Sequence, residues 1–273
     1  MGPIRALVLL AAALALAASA GAEIMPPPPE SGQSVAGFQD TFDGAGLGAG
    51  WSIFGQNLYS VSDGMLHVAA PPVAGDPNRL LYLVGGYSNS VQEVLLRIRV
   101  TDFGIGDYPR GGAVAVCNAA NGEGIALNFR EKAVSGGRSI QFLSDHVAWG
   151  TNTPYAWANN TWYWMRLRHQ VNSSGNLDAF AKLWPSDGAT PEPTSWITWD
   201  YAASRVGYAG IAASSRSAGE SGLAAFDVDY FLLKAEGLPA ITVVPEPASL
   251  TLLGLALAGL LARRQRLLVP KGR

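Results

Sequence analysis

The middle of the chain alternates between hydrophobic and polar positions, from about residue 36 to residue 235. The clearest segment lies between residues 91 and 103, where aliphatic side chains occupy every second position. They are Val94, Leu96, Ile98 and Val100. Successive side chains of an extended strand point to opposite faces, so this period of two predicts a strand with one buried face.

The same period recurs in three further segments, at residues 125–130, 161–169 and 226–233. In the last of these, one face is predicted to hold Phe226, Val228, Tyr230 and Leu232. Turn pairs such as Asp63–Gly64 and Gly136–Gly137 separate the segments and indicate hairpins. The body shows neither an amphipathic helix of useful length nor a fixed-period repeat. The pattern therefore predicts an all-β antiparallel sandwich over residues 36–236.

Parts of this region are similar to laminin-G-like, concanavalin A-like jelly-roll domains. Phe38–Asp43 resembles the opening of such a domain, Thr161–Arg168 matches a later strand, and Phe226–Phe231 resembles its close. The match runs in order over nearly the whole body and implies a jelly-roll sandwich. Because this fold hosts lectins, glucanases and adhesion modules alike, the resemblance implies no single function.

The first 20 residues have the pattern of a secretory signal peptide. Arg5 precedes an apolar run from Leu7 to Leu16, and Ala18–Ala20 offers small residues for cleavage. A permanent N-terminal anchor is the alternative, although the apolar run is short for a membrane span. Residues 21–35 include four consecutive prolines and predict a stiff linker.

The C-terminal segment combines a rigid acidic tripeptide, an apolar run and a basic pair. These are Pro245, Glu246 and Pro247, the run to Ala262, and Arg263 and Arg264. This order resembles the PEP-CTERM sorting signal of bacterial envelope proteins and implies processing by an exosortase. It predicts a linker at 237–244, a sorting signal with a short transmembrane helix at 245–266, and a cytoplasmic tail at 267–273. A plain membrane anchor and a buried core helix are the alternatives.

Charge and cysteine content agree with export. The net charge of −2 gives no indication of nucleic-acid binding. Cys117 is the single cysteine, so the chain cannot form an internal disulfide. We expect secretion to the cell envelope, with membrane anchoring before processing and release to the surface or extracellular matrix afterwards.

Four aspartates are candidate calcium ligands. Asp227 and Asp229 lie two residues apart on one strand. In the domains that this chain resembles, the last strand pairs with the first, which would bring Asp40 and Asp43 close. Ca²⁺ prefers several oxygen ligands, so calcium is the one cofactor that the sequence suggests. Solvated acids at strand ends are the alternative.

Signatures of hydrolytic enzymes are missing from the sequence. Laminarinase-type glucanases carry Glu-x-Asp-x-x-Glu on one strand, and serine hydrolases of another fold carry Gly-x-Ser-x-Gly. Neither string occurs here. The sequence therefore predicts a protein without a catalytic site.

Three aromatic residues are candidates for carbohydrate binding: Trp149, Tyr155 and Trp157. They lie near turn signals, and loops commonly carry binding residues. The apolar C–H faces of sugars stack on exposed aromatic rings. The alternative is a role in the core, which large aromatic side chains commonly fill.

Together these features predict an exported, non-catalytic sandwich that binds glycan at the envelope or in its polysaccharide matrix. A divergent glycoside hydrolase or polysaccharide lyase is one alternative, and a structural matrix protein without a specific ligand is another. The predicted partners are an exosortase, extracellular polysaccharide and, before processing, the membrane.

Overall fold

The alternating segments form β-strands in a computed structural model of the chain. The structure describes residues 36–72, 77–83, 88–103, 111–132, 137–145, 147–171, 175–201, 205–213 and 224–235. The predicted signal peptide, both linkers, the sorting segment and the cytoplasmic tail lie outside these residues, so their boundaries stay predictions.

The described residues contain fifteen strands. In chain order they are β1 (Ala36–Asp40), β2 (Trp51–Phe54), β3 (Tyr59–Ser62), β4 (Met65–Val68), β5 (Arg79–Tyr82), β6 (Gln92–Asp102), β7 (Gly112–Cys117), β8 (Ile125–Lys132), β9 (Gly137–Ser144), β10 (Ala148–Pro154), β11 (Tyr163–Val171), β12 (Leu177–Pro185), β13 (Ile197–Tyr201), β14 (Tyr208–Ala212) and β15 (Ala225–Ala235). These residues include no helix, and hence none long and apolar enough to cross a membrane.

The strands form two sheets. One has eight strands in the order β13-β12-β11-β6-β15-β4-β3, with β1 also pairing with β15. The other has seven strands in the order β10-β9-β8-β7-β14-β5-β2. The pairings between the named strands are antiparallel. The predicted all-β antiparallel sandwich is therefore confirmed.

The core lies between the sheets and is built from the predicted alternation. Val94, Leu96 and Ile98 of β6 belong to the same buried cluster as Leu127 of β8 and Phe142 of β9. Burial of one such side chain contributes about 1.5–3 kcal/mol relative to leaving it exposed. Since a one-residue slip would turn these side chains outward, the core fixes the register of the strands.

The hairpin predicted at Asp63–Gly64 joins β3 to β4, with Ser62 opposite Met65. Asp63 has a φ of 54° and Gly64 a φ of 69°. A two-residue type I′ turn needs positive φ at both positions, and Asp-Gly supplies them at low cost. This turn prediction is confirmed.

The predicted alternation of β15 is wrong beyond Val228, because the pairing with β6 shifts register between Val228 and Tyr230. A bulge adds one residue to a strand and exchanges the faces that follow it. Phe231 consequently lies in the core, whereas Tyr230 and Leu232 lie in a separate buried cluster. Asp229 lies at this bulge and accepts a hydrogen bond from Arg97 at 2.6 Å.

Candidate functional site

The two aspartates near the end of β1 have hydrogen-bond partners within the protein. The carboxylate of Asp40 accepts from the backbone N–H of Phe42 at 2.8 Å and from the indole N–H of Trp51 at 2.7 Å. Asp43 accepts from the hydroxyl of Thr41 at 2.6 Å. These bonds stabilise the turn that follows β1.

The two aspartates of β15 form ion pairs on the outer face of the eight-stranded sheet. Asp227 contacts Nδ1 of His67 at 2.8 Å and accepts from Nε of Arg99 at 2.9 Å. Asp229 accepts from Arg97 at 2.6 Å. Among the residues that the structure describes, no group of three or more His, Cys, Asp or Glu side chains is placed to hold a metal ion. The predicted calcium site therefore stays a prediction, and the hydrogen bonds and ion pairs of the four aspartates are those of structural residues.

Trp157 belongs to the core, which corrects its prediction as an exposed sugar-stacking residue. Its side chain is only 2% exposed. The indole N–H donates to the carbonyls of Ser139 at 3.0 Å and Arg130 at 3.3 Å. The rings of Phe103 and Phe129 lie against it, with centroids at 4.6 and 5.3 Å. Burial with a satisfied N–H is the usual arrangement for a structural tryptophan.

Tyr155 lies on the rim of a surface depression of about 450 Å³. The depression is lined by Gly137, Arg138, Pro154, Tyr155, Ala156 and Trp157. Partial burial raises the pKa of the Tyr155 phenol to about 12, with smaller contributions from Tyr163 and Asp187. The hydroxyl therefore stays protonated and able to donate a hydrogen bond across the neutral pH range.

Trp149 is the most exposed of the three predicted aromatic residues, at 43%. It lies near the start of β10, opposite Leu143 of β9. The guanidinium of Arg130 lies 4.0 Å from its ring centroid, a cation–π contact that holds the ring in place. Trp149 and Tyr155 are six residues apart along an extended strand, or about 20 Å. The structure therefore separates Trp149 from Tyr155 and Trp157, which line the same depression.

Four buried polar side chains of β8 and β9 lie on the outer face of the seven-stranded sheet, and we call them the polar patch: Asn128, Arg130, Ser139 and Gln141. The antiparallel register of β8 and β9 places Asn128 opposite Gln141 and Arg130 opposite Ser139. The neighbours of these residues along β8 and β9, such as Leu127 and Ile140, point into the core. Strand alternation therefore puts these four side chains on the outer face, and the pairing register of β8 and β9 puts them next to one another.

Gln141 connects the polar patch to the strand that carries Trp149. Its side-chain oxygen accepts from Nη1 of Arg130, and its amide donates to the carbonyl of Gly150 at 3.0 Å. Both ends of the amide are thus used inside the protein. This arrangement fixes the guanidinium of Arg130 above the ring of Trp149.

Two atoms of the polar patch are buried without a hydrogen-bond partner in the described part of the chain: Nδ2 of Asn128 and Oγ of Ser139. The side chains are 3% and 4% exposed. A buried polar atom left unpaired costs about 1–3 kcal/mol, so such atoms are rare in folded proteins and call for an explanation. Both atoms lie beneath the surface, so they belong to the packed interior of this face and are not available to a ligand.

Two glutamates on the outer face of the eight-stranded sheet are held in a buried ion-pair network. Glu93 binds Arg166 at 2.8 Å and Arg168 at 2.5 Å. Glu192 binds the same Arg166 at 2.7 Å and Lys182 at 3.0 Å. Every carboxylate oxygen of the pair has a basic partner, so this network is organised for packing rather than for access by a substrate.

Sequence reasoning found Trp149 but not the polar patch. The alternation of residues 125–130 already places Asn128 and Arg130 on one face. Their partners Ser139 and Gln141 depend on the length of the connection between β8 and β9. The pair Gly136–Gly137 indicated a turn there, but Gly137 is the first residue of β9 and pairs with Lys132.

A comparison with family models matches residues 243–266 to the PEP-CTERM protein-sorting motif. The matched residues include the predicted Pro245–Pro247 tripeptide and the arginines at 263 and 264. This motif indicates a secreted protein that is sorted to the cell envelope. A search of curated protein sequences found no match.

Solved structures with the same fold include two winged bean lectins. The basic winged bean lectin with Tn-antigen is 11% identical, with a TM-score of 0.51 over 74% of this chain and 98% of that chain. The acidic winged bean lectin complexed with methyl-α-D-galactose is 10% identical, with a TM-score of 0.50 over 74% of this chain and 98% of that one. At these identities the likeness shows the fold alone, and it confirms the predicted jelly-roll sandwich.

A glycoside hydrolase family 43 protein from Bacillus licheniformis is also similar. It is 13% identical, with a TM-score of 0.48 over 72% of this chain. The chain spans only 39% of the length of that enzyme.

Proposed function

We propose that this protein is an exported, non-catalytic glycan-binding sandwich, delivered to the cell envelope or its polysaccharide matrix by the PEP-CTERM motif. An exosortase would process the C-terminal segment, since the motif implies such an enzyme. The ligand would be a polysaccharide or oligosaccharide of that matrix. The sandwich would bind it on the outer face of the seven-stranded sheet.

The observation that carries the proposal is the exposed ring of Trp149, which Arg130 of the polar patch holds in place from below. A sugar ring has an apolar C–H face that stacks on an indole, and hydroxyls that both donate and accept hydrogen bonds. Binding sites combine apolar contact area with a few placed polar groups. Trp149 supplies the first, and the exposed side chains of Thr151 and Asn152 on the same strand supply the second.

The lectin neighbours support the proposal without defining the sugar. One was solved with Tn-antigen and the other with methyl-α-D-galactose, and each ligand belongs to that lectin. The shared fold gives this chain a scaffold on which glycan sites occur.

The test is a glycan array probed with the full chain in mild detergent, followed by titration calorimetry on the glycans that bind. Trp149→Ala should abolish or strongly weaken binding, because it removes the stacking surface. Trp162→Ala is a matched control, since Trp162 also contacts arginines, Arg97 at 4.9 Å and Arg99 at 4.7 Å, but on the other sheet.

Three outcomes are informative. Loss of binding in Trp149→Ala with retention in Trp162→Ala supports the site. Equal affinity of wild type and Trp149→Ala would reject the site. Absence of binding to every glycan on the array would reject the function and favour a structural matrix protein.

The absence of catalysis is part of the proposal and has its own test. A glycosidase needs two carboxyl groups at a sugar-sized spacing, one of them available as an acid. Glu93 and Glu192 of the described residues are held by arginines and lysine instead. We expect no release of reducing sugar from β-glucans, galactans or alginate by the purified protein. Sustained release by the wild type would identify a glycoside hydrolase or lyase.

A further inference from the structure

Strand β10 lies at one edge of the seven-stranded sheet and presents exposed side chains on the outer face of that sheet. Asn152 lies opposite Gln141 of β9, and Pro154 lies opposite Ser139. Directly opposite residues of an antiparallel pair share a face, and Gln141 and Ser139 belong to the polar patch of the outer face. Asn152 and Pro154 therefore lie on that face too, and both are exposed.

A bulge brings Trp149 onto the same face. The register of β10 against β9 shifts between Trp149 and Asn152, as it does where a strand carries an extra residue. In a regular strand, residues three positions apart point to opposite faces. Here Trp149 lies opposite Leu143, which is two positions from Gln141 and shares its face. We call Trp149, Asn152 and Pro154 the outer row of β10.

The outer row ends at the depression of about 450 Å³, because Pro154 lines that depression together with Tyr155 and Arg138. The guanidinium of Arg138 lies 4.1 Å from the ring centroid of Trp157, and its Nη1 donates to the Trp157 carbonyl at 2.9 Å. These contacts hold the lining in place. Tyr155 is partly exposed, and its hydroxyl has no hydrogen-bond partner among the described residues. The depression therefore offers a ligand a hydroxyl donor beside apolar walls.

We infer that the outer row of β10 binds an internal segment of a linear polysaccharide, which extends from Trp149 to the depression at Tyr155. This inference rests on the proposed function and adds the ligand class to it. Trp149 and Tyr155 are about 20 Å apart, a distance that a single sugar ring cannot cover but several linked units can. A chain already held at Trp149 makes the second contact at a high effective concentration, so affinity depends on chain length.

The experiment measures affinity against ligand length by titration calorimetry on the full chain in mild detergent. The probes are neutral oligosaccharides, since β10 has no charged side chain. They are laminari-, cello- and manno-oligosaccharides, each from the disaccharide to the octasaccharide. In at least one series we expect a step of about tenfold at the length that reaches both contacts, the effect of one added neutral hydrogen bond. Beyond the step, affinity should rise only slowly, because further units add no new contact.

Protein variants localise the second contact. Tyr155→Phe removes only the hydroxyl and should reduce the step, and Tyr155→Ala should abolish it. Tyr208→Phe is the matched control, since Tyr208 lies in β14 of the same sheet, with three strands between it and β10. If Tyr155→Ala fails to fold, Tyr155→Phe still decides the question, because it keeps the ring that packs against Tyr163 at 5.9 Å.

The outcomes separate this inference from the proposed function. A step that shrinks in the Tyr155 variants and persists in Tyr208→Phe supports the inference. Binding without a step in any series overturns the inference and leaves glycan binding at Trp149 intact. A step of equal size in wild type and in the Tyr155 variants also overturns it. Absence of binding in all three series, with glycans bound on the array, overturns the inference alone. Absence of any glycan binding overturns both.

Discussion

Replacing His169 with leucine should make the free energy of unfolding of the sandwich less sensitive to acid. His169 lies in β11, opposite Gln92 of β6 and Ala179 of β12, and is fully buried. Neither ring nitrogen has a hydrogen-bond partner within the described residues. Burial, and secondarily the positive charge of Arg205, lowers the pKa of His169 to about 3.

The sign and size of the effect follow from the two pKa values. The folded-state pKa of His169 is about 3, against 6.5 for an unperturbed histidine. Between these values the unfolded chain binds a proton that the folded protein does not, so stability falls as the pH falls. Above pH 6.5 both states are neutral and the contribution vanishes. The slope is about 1.4 kcal/mol per pH unit, which amounts to about 3 kcal/mol between pH 7 and pH 4.

The assay is urea-induced unfolding of wild type and His169→Leu at pH 7, 6, 5 and 4. Carboxylates also titrate near pH 4, but they do so in both proteins and cancel in the difference. We expect the variant to be as stable as wild type or more so at pH 7, because it removes an unpaired buried polar group. The variant should then lose about 3 kcal/mol less than wild type on going to pH 4.

Parallel losses in the two proteins would refute this reasoning. Nuclear magnetic resonance offers an independent check, because the ring proton shifts of His169 should stay constant from pH 7 to pH 4 in the folded protein. A ring that titrates near pH 6.5 without unfolding would show that the side chain reaches solvent.

Three further predictions concern the core, the ion-pair network and the tail. Trp157→Phe removes the indole N–H that donates to two backbone carbonyls, so it should lower the free energy of unfolding by about 1–3 kcal/mol, measured by urea unfolding. An unchanged midpoint would contradict a structural role for Trp157. Glu192→Gln removes one negative charge from the fully buried cations Arg166 and Lys182, so it should lower the free energy of unfolding by about 3–5 kcal/mol. Glu131→Gln removes a surface ion pair and should lower it by only about 0–1 kcal/mol. Equal costs would reject that distinction. A chain ending at Gly237 keeps every described strand and should retain a strand-rich circular dichroism spectrum without membrane retention; aggregation would place the tail in the fold.

The positions of two tryptophans show where sequence reasoning stopped. Trp149 and Trp157 lie eight residues apart, both near turn signals, and both were predicted to bind carbohydrate. In the structure one is 43% exposed and the other 2%. The difference arises because Trp157 follows the end of β10 and turns its indole toward two carbonyls of β8 and β9. Only the packing of β10 on β9 decides which ring meets solvent.

Local physics explains what the sequence determined by itself. A period of two in β6 and β8 suffices to predict strands and their buried faces, because alternation is a property of the extended backbone. Asp63–Gly64 predicts its own turn, because positive φ is a property of those two residues. The C-terminal motif is read in the same way, from a contiguous run of residues.

The tertiary structure decided everything that depends on register. The bulge at Asp229 moves Tyr230 off the core face, and the local pattern of hydrophobic and polar residues does not predict this bulge. The polar patch exists because Lys132 pairs with Gly137, which brings Asn128 opposite Gln141 and Arg130 opposite Ser139. Register is selected by the summed burial of both sheets rather than by any one segment, so the site that it assembles could not be predicted from the sequence.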